Sequence, residues 1–518
     1  MNSLSAKTPD APVIEVNKWI VAMTVMFGAF MAVMDISVVN VAMPHMMGAF
    51  SQDLSSITWV ATAYSIAEII MLTMAGWFSM LMGRKRLYMW SFGLFTLGSI
   101  LCGTAVTFPQ MLFYRVLQGI GGGSLIPVSQ AILRESFPKE EQGMAMAIFG
   151  MGVVLAPAVG PVVGGWLTDY YGWPWIFYIN VPVSIVGILL VGAFVHDPHY
   201  LRRGVKNIDW TGIALLTTSL TTMQIVLERG QNENWFDSRM IISGTVICIT
   251  TLFALVYWEL KNPEPVINFR ILRNIPLALG SAVGIIFGLA LFGTTFILPQ
   301  FTQELLGYPA FQSGLVLAPR AFMLLLFMPI VGRLYNHVDP RLLALTGVGI
   351  TFWSYYNLAG LSLAAGFWNI IPTLLIMGVG IPFIFVTLST LSLSTISRAD
   401  MTDASGMYTL ARRVGGNIGY ALAATIVARS QQIHRSVLVS HVNPFNPRYA
   451  EYIQKTANAL KHVGLDAQTL QHALVNRVVS MHATMLAYND VSWIFGLLFL
   501  CIIPFVLMLP VRSASEKS

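Results

Sequence analysis

The chain has 518 residues, of which 55% are hydrophobic and only 10% are charged. This composition excludes an ordinary soluble globular protein and indicates that most of the chain lies in lipid. The net charge of +6 does not indicate nucleic-acid binding, because the lysines and arginines form short clusters between apolar runs, where membrane topology requires them.

The long apolar runs predict membrane-spanning helices, because backbone groups in hydrocarbon must be hydrogen-bonded within their own segment. We predict an all-α polytopic membrane protein with fourteen transmembrane helices arranged as six, two and six. The first six spans lie near 19–43, 57–81, 87–107, 110–132, 143–167 and 174–195, the central two near 210–228 and 240–259, and the last six near 275–299, 313–333, 341–362, 370–395, 403–428 and 490–511. The predicted domains are an N-terminal six-helix bundle (1–195), a central linker with two extra spans (196–274), and a C-terminal six-helix bundle (275–518) with an insertion at 429–489.

The first span contains Asp35, which follows a long apolar stretch. A carboxyl group in that setting costs several kcal/mol unless it is protonated or paired. A helix cap or a polar packing group is one interpretation. We favour a proton-coupling residue, whose carboxyl binds a proton in one conformation and releases it in the other.

The second span carries Glu68 near its centre, and this side chain also needs a partner. A structural ion pair between the two bundles and a proton or cation site are both open. The fourth span carries Arg115, followed by Gln118 and a run of glycines. Arg115 either extends to the interface or is a fixed cation that tunes the protonation of a nearby carboxyl such as that of Asp35.

The fifth span is rich in small residues and proline. Gly152, Pro157, Gly160, Pro161 and Gly164 lie within it. Small residues allow close helix packing, and proline bends a helix. The pattern predicts a close and bendable contact between the two bundles, as alternating access requires.

Two arginines lie deep in later spans: Arg320 in the tenth, and Arg412 in the thirteenth, which is followed directly by Arg413. Together with Gln118, Arg320 and Arg412 are candidate charge partners of the buried carboxylates or residues of a substrate cavity. The depths of Glu68 and Arg412 suggest an ion pair between the two bundles, with Arg320 as the competing partner.

The two groups of six spans resemble repeats, since GWFSMLMGRKR (76–86) ends the second span and GRLYNHVDPR (332–341) ends the tenth. Placing both termini in the cytoplasm puts the basic loops on the cytoplasmic side, in agreement with the positive-inside rule. The insertion 429–489 then faces outward, where we expect short amphipathic helices after the NPFNP turn. It is either a solvated cap or a docking site for a partner.

The sequence contains no phosphate-binding loop, HExxH or GxSxG motif, and its cysteines lie singly in apolar segments. We therefore expect no enzymatic activity, no metal and no cofactor, with the proton motive force rather than ATP as the source of energy.

These motifs resemble those of the major facilitator superfamily, in particular its fourteen-span drug:proton antiporter family of the EmrB/QacA type. MDISVVNVAMP resembles the first-span motif with Asp35 as its acid, RVLQGIGGG the fourth-span motif with Arg115, and APAVGPVVGG the fifth-span antiporter motif. The six-two-six arrangement, ERGQNENWF and HVNPFNP are similar to the EmrB branch. The resemblance covers essentially the whole chain.

The resemblance implies an inner-membrane pump that works with a periplasmic membrane-fusion adaptor of the EmrA kind and an outer-membrane channel of the TolC kind. One motif departs from the family. In the loop motif that contains Gly76, Gly83 and Arg84, Met80 stands where the family usually has an acidic residue. The charge relay of the family therefore cannot be carried over at that position.

We expect a proton-coupled multidrug efflux transporter that exports hydrophobic or amphiphilic compounds by alternating access between the two bundles. An exporter of one metabolite, siderophore or lipid would have the same fold. A membrane scaffold or sensor that does not transport is a third hypothesis, against which the burial of Asp35 and Arg115 argues.

Overall fold

A computed structural model describes residues 17–197, 208–443, 445–460 and 467–509. Arg202 and Arg203, which belong to the loops predicted to be cytoplasmic because they are basic, lie outside the described residues, as do the terminal segments. The helices are α1 (Lys18–Phe50), α2 (Trp59–Met82), α3 (Arg84–Gly103), α4 (Phe108–Ser136), α5 (Gln142–Tyr171), α6 (Trp175–Phe194), α7 (Trp210–Arg229), α8 (Arg239–Lys261), α9 (Ile275–Gln300), α10 (Ala310–Leu334), α11 (Pro340–Leu358), α12 (Phe367–Ser392), α13 (Met401–Ser440), α14 (Pro447–Leu460) and α15 (Ala467–Leu500, continued by Ile502–Met508). Each predicted span coincides with one of these helices, and α14 is additional.

Ten of the described helices are long and apolar enough to cross a bilayer, and α5, which bends by 41° between Pro157 and Val159, would be an eleventh. The other helices at predicted spans are α3, α11 and α13. Each packs against helices that do meet the criterion: α3 against α4 and α6, α11 against α12 and α15, and α13 against α9 and α15. The chain is a multi-pass membrane protein, and the count of fourteen spans stays a prediction for these three helices.

The two groups of six helices repeat one packing pattern. In the N-terminal group, α1 packs on α5, α2 on α4, and α3 on both α4 and α6. In the C-terminal group, α9 packs on α13, α10 on α12, and α11 on both α12 and α15. The repeat suggested by the two loop motifs is therefore also a repeat of helix packing.

The bundles meet through α5 against α10 and through α2 against α13, which are equivalent pairs under the repeat. Glycines allow the first contact, since a Cβ atom on Gly332 would lie 2.9 Å from the carbonyl oxygen of Gly143. The central pair is not a detached linker. Its first helix, α7, contacts both α2 and α13 and so lies along the junction of the bundles.

The predicted insertion 429–489 is largely a continuation of two spans. The helix α13 runs for 40 residues and α15 for 34 before the break at Cys501. Side chains join them beyond the core of the bundle: Gln431 bonds to Thr484 at 2.7 Å, and Arg435 bonds to Asn476 at 2.9 Å. Among the described residues of the insertion, α14 is the one separate short helix of the kind expected after the NPFNP turn. We call the part of α13, α14 and α15 within 429–489 the hairpin.

Candidate functional site

Asp35 lies at the centre of a polar cluster buried inside the N-terminal bundle. Its Oδ2 accepts a hydrogen bond from Arg115 at 2.6 Å, and its Oδ1 accepts one from Gln118 at 2.8 Å and one from Asn180 at 3.0 Å. Ser99 accepts a further bond from Gln118 at 2.7 Å. All five residues are 0–1% exposed. The helices α1, α3, α4 and α6 each contribute at least one of these residues.

This arrangement is complementary to an ionised carboxylate, because three donors, one of them a cation, occupy its two oxygens. A proton on Asp35 would remove one acceptor site and weaken the pairing with Arg115. The cluster therefore joins the Asp35 side chain of α1 to side chains of three other helices, α3, α4 and α6. The structure thus places Asp35 beside Arg115, its predicted tuning charge, and beside Gln118, a predicted charge partner or cavity residue.

Arg115 is held in place by more than Asp35. Its Nε donates to the carbonyl oxygen of Val60 at 3.0 Å, and its guanidinium lies 4.3 Å from the centre of the Tyr64 ring and 5.7 Å from that of Phe177. A cation over an aromatic face is stabilised further when both groups are desolvated. Arg115 therefore does not extend to the membrane interface.

The small residues of α5 lie against the helix that carries Asp35. A Cβ atom on Gly152 would lie 2.7 Å from Met26, one on Gly160 would lie 2.6 Å from Ser37, and one on Gly164 would lie 3.0 Å from Val38. These glycines therefore pack closely, but against α1 of their own bundle and not at the predicted contact between the bundles; that contact is made elsewhere on α5, as at Gly143 and Gly150.

At the bend in α5, a side chain of α1 supplies a hydrogen bond that the helix itself lacks. Pro161 has no N–H group and cannot donate to the carbonyl oxygen of Pro157, which a regular helix would require. The hydroxyl of Ser37 donates to that oxygen instead, at 3.2 Å. Ser37 is two residues from Asp35, so the bent segment of α5 is bonded directly to the turn of α1 that carries the carboxylate.

Glu68 forms its ion pair with Arg413 of α13, and both the hypothesis of a pair with Arg412 and the alternative of Arg320 are wrong. Glu68 is 1% exposed, and one of its oxygens, Oε1, has no hydrogen-bond partner among the described residues. The ion pair therefore joins the two helices that were expected, α2 and α13. Its cation is Arg413, the residue that follows Arg412.

A second polar contact joins α7 to both bundles, and sequence reasoning missed it. Glu228 accepts hydrogen bonds from Thr62 of α2 and, at 2.9 Å, from Gln224. Gln224 in turn accepts one from Asn417 of α13 at 2.5 Å. The sequence did contain one indication of this contact: Glu228 is an acidic residue at the end of a predicted span, where the segment ERGQNENWF begins.

The loop motif between α2 and α3 forms a clasp between the bundles. Gly83 adopts a left-handed φ of 88° at the turn, and Arg84 bonds to Thr402 at 2.7 Å and pairs with Glu135 of α4. Gly76 lies against Asp403, whose Oδ1 would be 1.4 Å from a Cβ atom on Gly76. We call these contacts the clasp.

In the clasp, acidic residues of other helices take the place of the acid that the family motif usually has at the position of Met80. Glu135, from the end of α4, supplies the carboxylate for Arg84, and Asp403 lies beside Gly76 from the opposite bundle. A charge network is thus present at this loop with acids from other helices. Those acids are far from the motif in sequence, which is why the motif alone did not reveal them.

A partly open cavity lies between the bundles, and its volume of about 400 Å³ includes space that is open to solvent. Its walls come from α5, α9, α10, α12 and α13, and they are mostly apolar. The lining residues are Val153, Val154, Pro157, Phe287, Leu291, Phe292, Thr295, Arg320, Phe385 and Arg412. The two arginines predicted as cavity residues or charge partners therefore share one cavity, which Pro157 of the bent helix also lines.

Two bundles with the same packing pattern, a buried ionisable cluster in one of them and a cavity between them together define a secondary membrane transporter. The sequence matches the family model described as Major Facilitator Superfamily over residues 25–420. It is 30% identical to the multidrug export protein EmrB of Escherichia coli K12 over 492 residues, which is 94% of each chain. The chain belongs to the Major Facilitator Superfamily, with relatives of the EmrB type.

Two further similarities have a narrower meaning. The chain is 28% identical to the fatty acid resistance protein FarB of Neisseria gonorrhoeae over 492 residues, covering 94% of this chain and 95% of the relative. Its fold is similar to that of the proton:xylose symporter XylE, with a TM-score of 0.62 at 13% identity, covering 95% and 96% of the two chains. This last likeness concerns the fold alone.

Proposed function

We propose that the protein is a proton-coupled exporter of hydrophobic or amphiphilic compounds, working by alternating access as a drug:proton antiporter. The observation that carries the proposal is the path from Asp35 to the cavity. Asp35 lies two residues from Ser37, which bonds to Pro157, and Pro157 lines the cavity between the bundles. A change in the protonation of Asp35 would thereby reach the wall of the cavity through α5.

In this mechanism Asp35 carries the proton, Arg115 and Gln118 hold the deprotonated form, and Glu68 is a second proton site or the bundle-joining partner of Arg413. The glycines and prolines of α5 permit the rocking movement, and the clasp at Gly76, Gly83 and Arg84 closes one end. The energy comes from the proton motive force, with no cofactor.

The name of the relative EmrB supports export of several compounds. The name of FarB favours the second candidate, a more specific cargo such as a lipid. Growth of strains that lack or overproduce the protein, across a panel of compounds, separates a broad from a narrow cargo range. A protein that transports nothing in such tests would be a scaffold or sensor.

We place the protein in the inner membrane with both termini in the cytoplasm, as the basic loops favour. The clasp then lies at the cytoplasmic end and the hairpin at the periplasmic end. Its 40-residue helix α13 would be about 60 Å long at 1.5 Å per residue, about twice the thickness of the bilayer core. The hairpin therefore suits docking to an EmrA-like adaptor, with a TolC-like channel beyond it.

The test is transport of a fluorescent dye into inside-out proteoliposomes under an imposed pH gradient. We expect uphill transport by the wild type and its loss in Asp35→Asn, with dye exchange at equal concentrations retained. Asp53→Asn is the matched control, because Asp53 lies in an exposed loop where it only caps a short helix through Ser56. Wild-type transport that ignores the pH gradient, or an Asp35→Asn variant as active as the control, would refute the proposal.

A further inference from the structure

The polar contact at Glu228 continues along α7 and α13 to the buried carboxyl of Glu68. Glu228 accepts a hydrogen bond from Gln224, one turn earlier in α7, and Gln224 accepts one from Asn417 of α13. Asn417 lies one turn from Arg413, which pairs with Glu68. These five side chains therefore form a continuous row from one carboxyl to the other, and we call this row the polar line.

The two ends of the polar line differ in their access to water. Glu228 is exposed and stands two residues before the polar loop 230–238, which the proposed topology places in the periplasm. Glu68 is 1% exposed and lies deep in α2. Thr62 of the same helix donates to Glu228, and it precedes Glu68 by about 9 Å at 1.5 Å per residue. The polar line thus connects the aqueous side with a buried carboxyl.

Fastening α7 to the two bundles does not require an acid at position 228. A glutamine there could accept the same hydrogen bonds from Thr62 and Gln224 through its carbonyl oxygen, without the cost of partly desolvating a charge. Glu228 also forms no ion pair with a cation among the described residues. A carboxyl group in this position, where water meets the interior, is suited to take up a proton.

At the buried end of the polar line, one oxygen of Glu68 is available to a proton. Its Oε2 is paired with Arg413, whereas its Oε1 has no hydrogen-bond partner among the residues that the structure describes. A buried acceptor without a donor is costly, and a proton removes the charge that makes this cost large. The same proton weakens the pairing with Arg413, so its arrival would loosen the contact between α2 and α13.

We propose that Glu228 is the entry site for the coupling proton and that the polar line conducts this proton from the periplasm to Glu68. The carboxylate of Glu228 takes a proton from bulk water. The proton passes through the Thr62 hydroxyl and water to Oε1 of Glu68, each group receiving one proton and releasing another, and the Glu228 carboxylate is restored. Arg413 stays charged throughout. The inference rests on the proposed proton coupling and adds its entry route.

Charged and titratable groups face both carboxyls of the polar line. Arg413 acts on both of them. The further groups are Arg229 beside Glu228, and Tyr64, Asp35 and Arg115 around Glu68. Gln224 and Asn417 lie between the carboxyls as positioning residues, since an amide orients water but carries no proton at neutral pH. The central helix α7 thereby supplies both the entry carboxyl and one of the positioning residues.

The experiment follows the protonation of Glu68 by time-resolved infrared spectroscopy of the full chain in nanodiscs after a rapid drop in pH. The Glu68 carboxyl band is the one that Glu68→Gln removes. In Glu228→Gln this band should rise at least about tenfold more slowly, since a positioned proton-transfer group contributes about 10²–10⁴ to the rate of its step. Its final intensity should change little. A wild-type rate in Glu228→Gln, or no Glu68 band in the wild type, would overturn the proposal.

Two further variants test whether the carboxyl or the fastening of α7 matters. Glu228→Asp keeps a carboxyl and should restore most of the rate. Glu233→Gln is the matched control, because it removes an acid from the exposed loop that follows α7, and it should leave the rate unchanged. A loss of final intensity without a loss of rate in Glu228→Gln would indicate a structural role and would contradict the proposal.

A transport measurement separates this inference from the proposed function. In the proteoliposomes described above, Glu228→Gln should lower the initial rate of gradient-driven dye transport severalfold relative to Glu233→Gln. Slow protonation of Glu68 in Glu228→Gln, together with wild-type transport that ignores the pH gradient, would refute the proposed function alone. Gradient-driven transport at the wild-type rate in Glu228→Gln would refute the inference alone.

Discussion

Ser37 donates a hydrogen bond to the carbonyl oxygen of Pro157 and so joins the helix of Asp35 to the bend in α5. The bond supplies the donor that Pro161 lacks, and the bent segment reaches the cavity between the bundles. The carboxylate cluster and the cavity are thus connected by one side chain and one helix.

Ser37→Ala should slow transport severalfold and leave the Asp35 cluster intact, because the Pro157 carbonyl would lose its donor at about 1–3 kcal/mol if no water replaced it. Dye transport in proteoliposomes measures the effect. Ser136→Ala is the control, since that hydroxyl bonds to the carbonyl oxygen of Ile132 within its own helix at 2.9 Å. An unchanged transport rate in Ser37→Ala would mean that the bond does not transmit the movement.

Arg115→Gln should destabilise the protein by about 3–5 kcal/mol, because it leaves the Asp35 carboxylate buried without its cation. Adding Asp35→Asn to that variant should cost much less than Asp35→Asn alone costs in the wild type, since the charge to be compensated is already gone. Thermal and chemical unfolding of the four proteins in detergent measures the coupling. Additive losses would show that the two side chains are energetically independent.

Glu68→Gln and Arg413→Gln should each reduce transport, and the double variant should be no worse than the more damaged single variant, because the two changes remove one ion pair. Glu68→Gln combined with Arg412→Gln should instead show multiplied losses, since Arg412 lies in the cavity. The measurement is the initial rate of gradient-driven transport for the single and double variants. Multiplied losses in the Glu68→Gln and Arg413→Gln double variant, with no added loss in the Glu68→Gln and Arg412→Gln double variant, would contradict the pairing of Glu68 with Arg413.

Gly76→Ala should loosen the clasp, because a Cβ atom there would overlap the carboxylate of Asp403. In a background with the native cysteines replaced by serine, a cysteine introduced at Val154 should react severalfold faster with an impermeant maleimide added from the cytoplasmic side. Gly93→Ala is the matched control, since a Cβ atom on Gly93 would meet nothing within 4 Å. Equal labelling in the two variants would contradict a gating role for the clasp.

The helices and the Asp35 cluster follow from local features of the sequence. Apolar runs of sufficient length can only be helices in lipid, and a carboxyl group and an arginine buried in neighbouring spans each require a counterion. Asn180, the third donor to Asp35, did not stand out, because a single amide in an apolar run carries no charge to be balanced.

The partner of Glu68 could not be decided from the sequence. Arg412 and Arg413 are adjacent, so their side chains differ by about 100° around the helix. The rotation of α13 is fixed by its packing on α9, where a Cβ atom on Gly415 would lie 2.1 Å from the carbonyl oxygen of Ile285. Tertiary packing of this kind, which the sequence does not show, directs Arg413 to Glu68 and Arg412 to the cavity.

The continuous helix α13 carries Asp403 beside the clasp, Arg412 in the cavity, Arg413 on Glu68 and Asn417 on α7, and it then leaves the bundle to form one side of the hairpin. Because α13 is one continuous helix, a rotation at its clasp end would also displace its hairpin end. Opening of the clasp would therefore move a partner bound to the hairpin, although that partner does not contact the cargo. Conversely, a partner that immobilised the hairpin would slow the whole transport cycle.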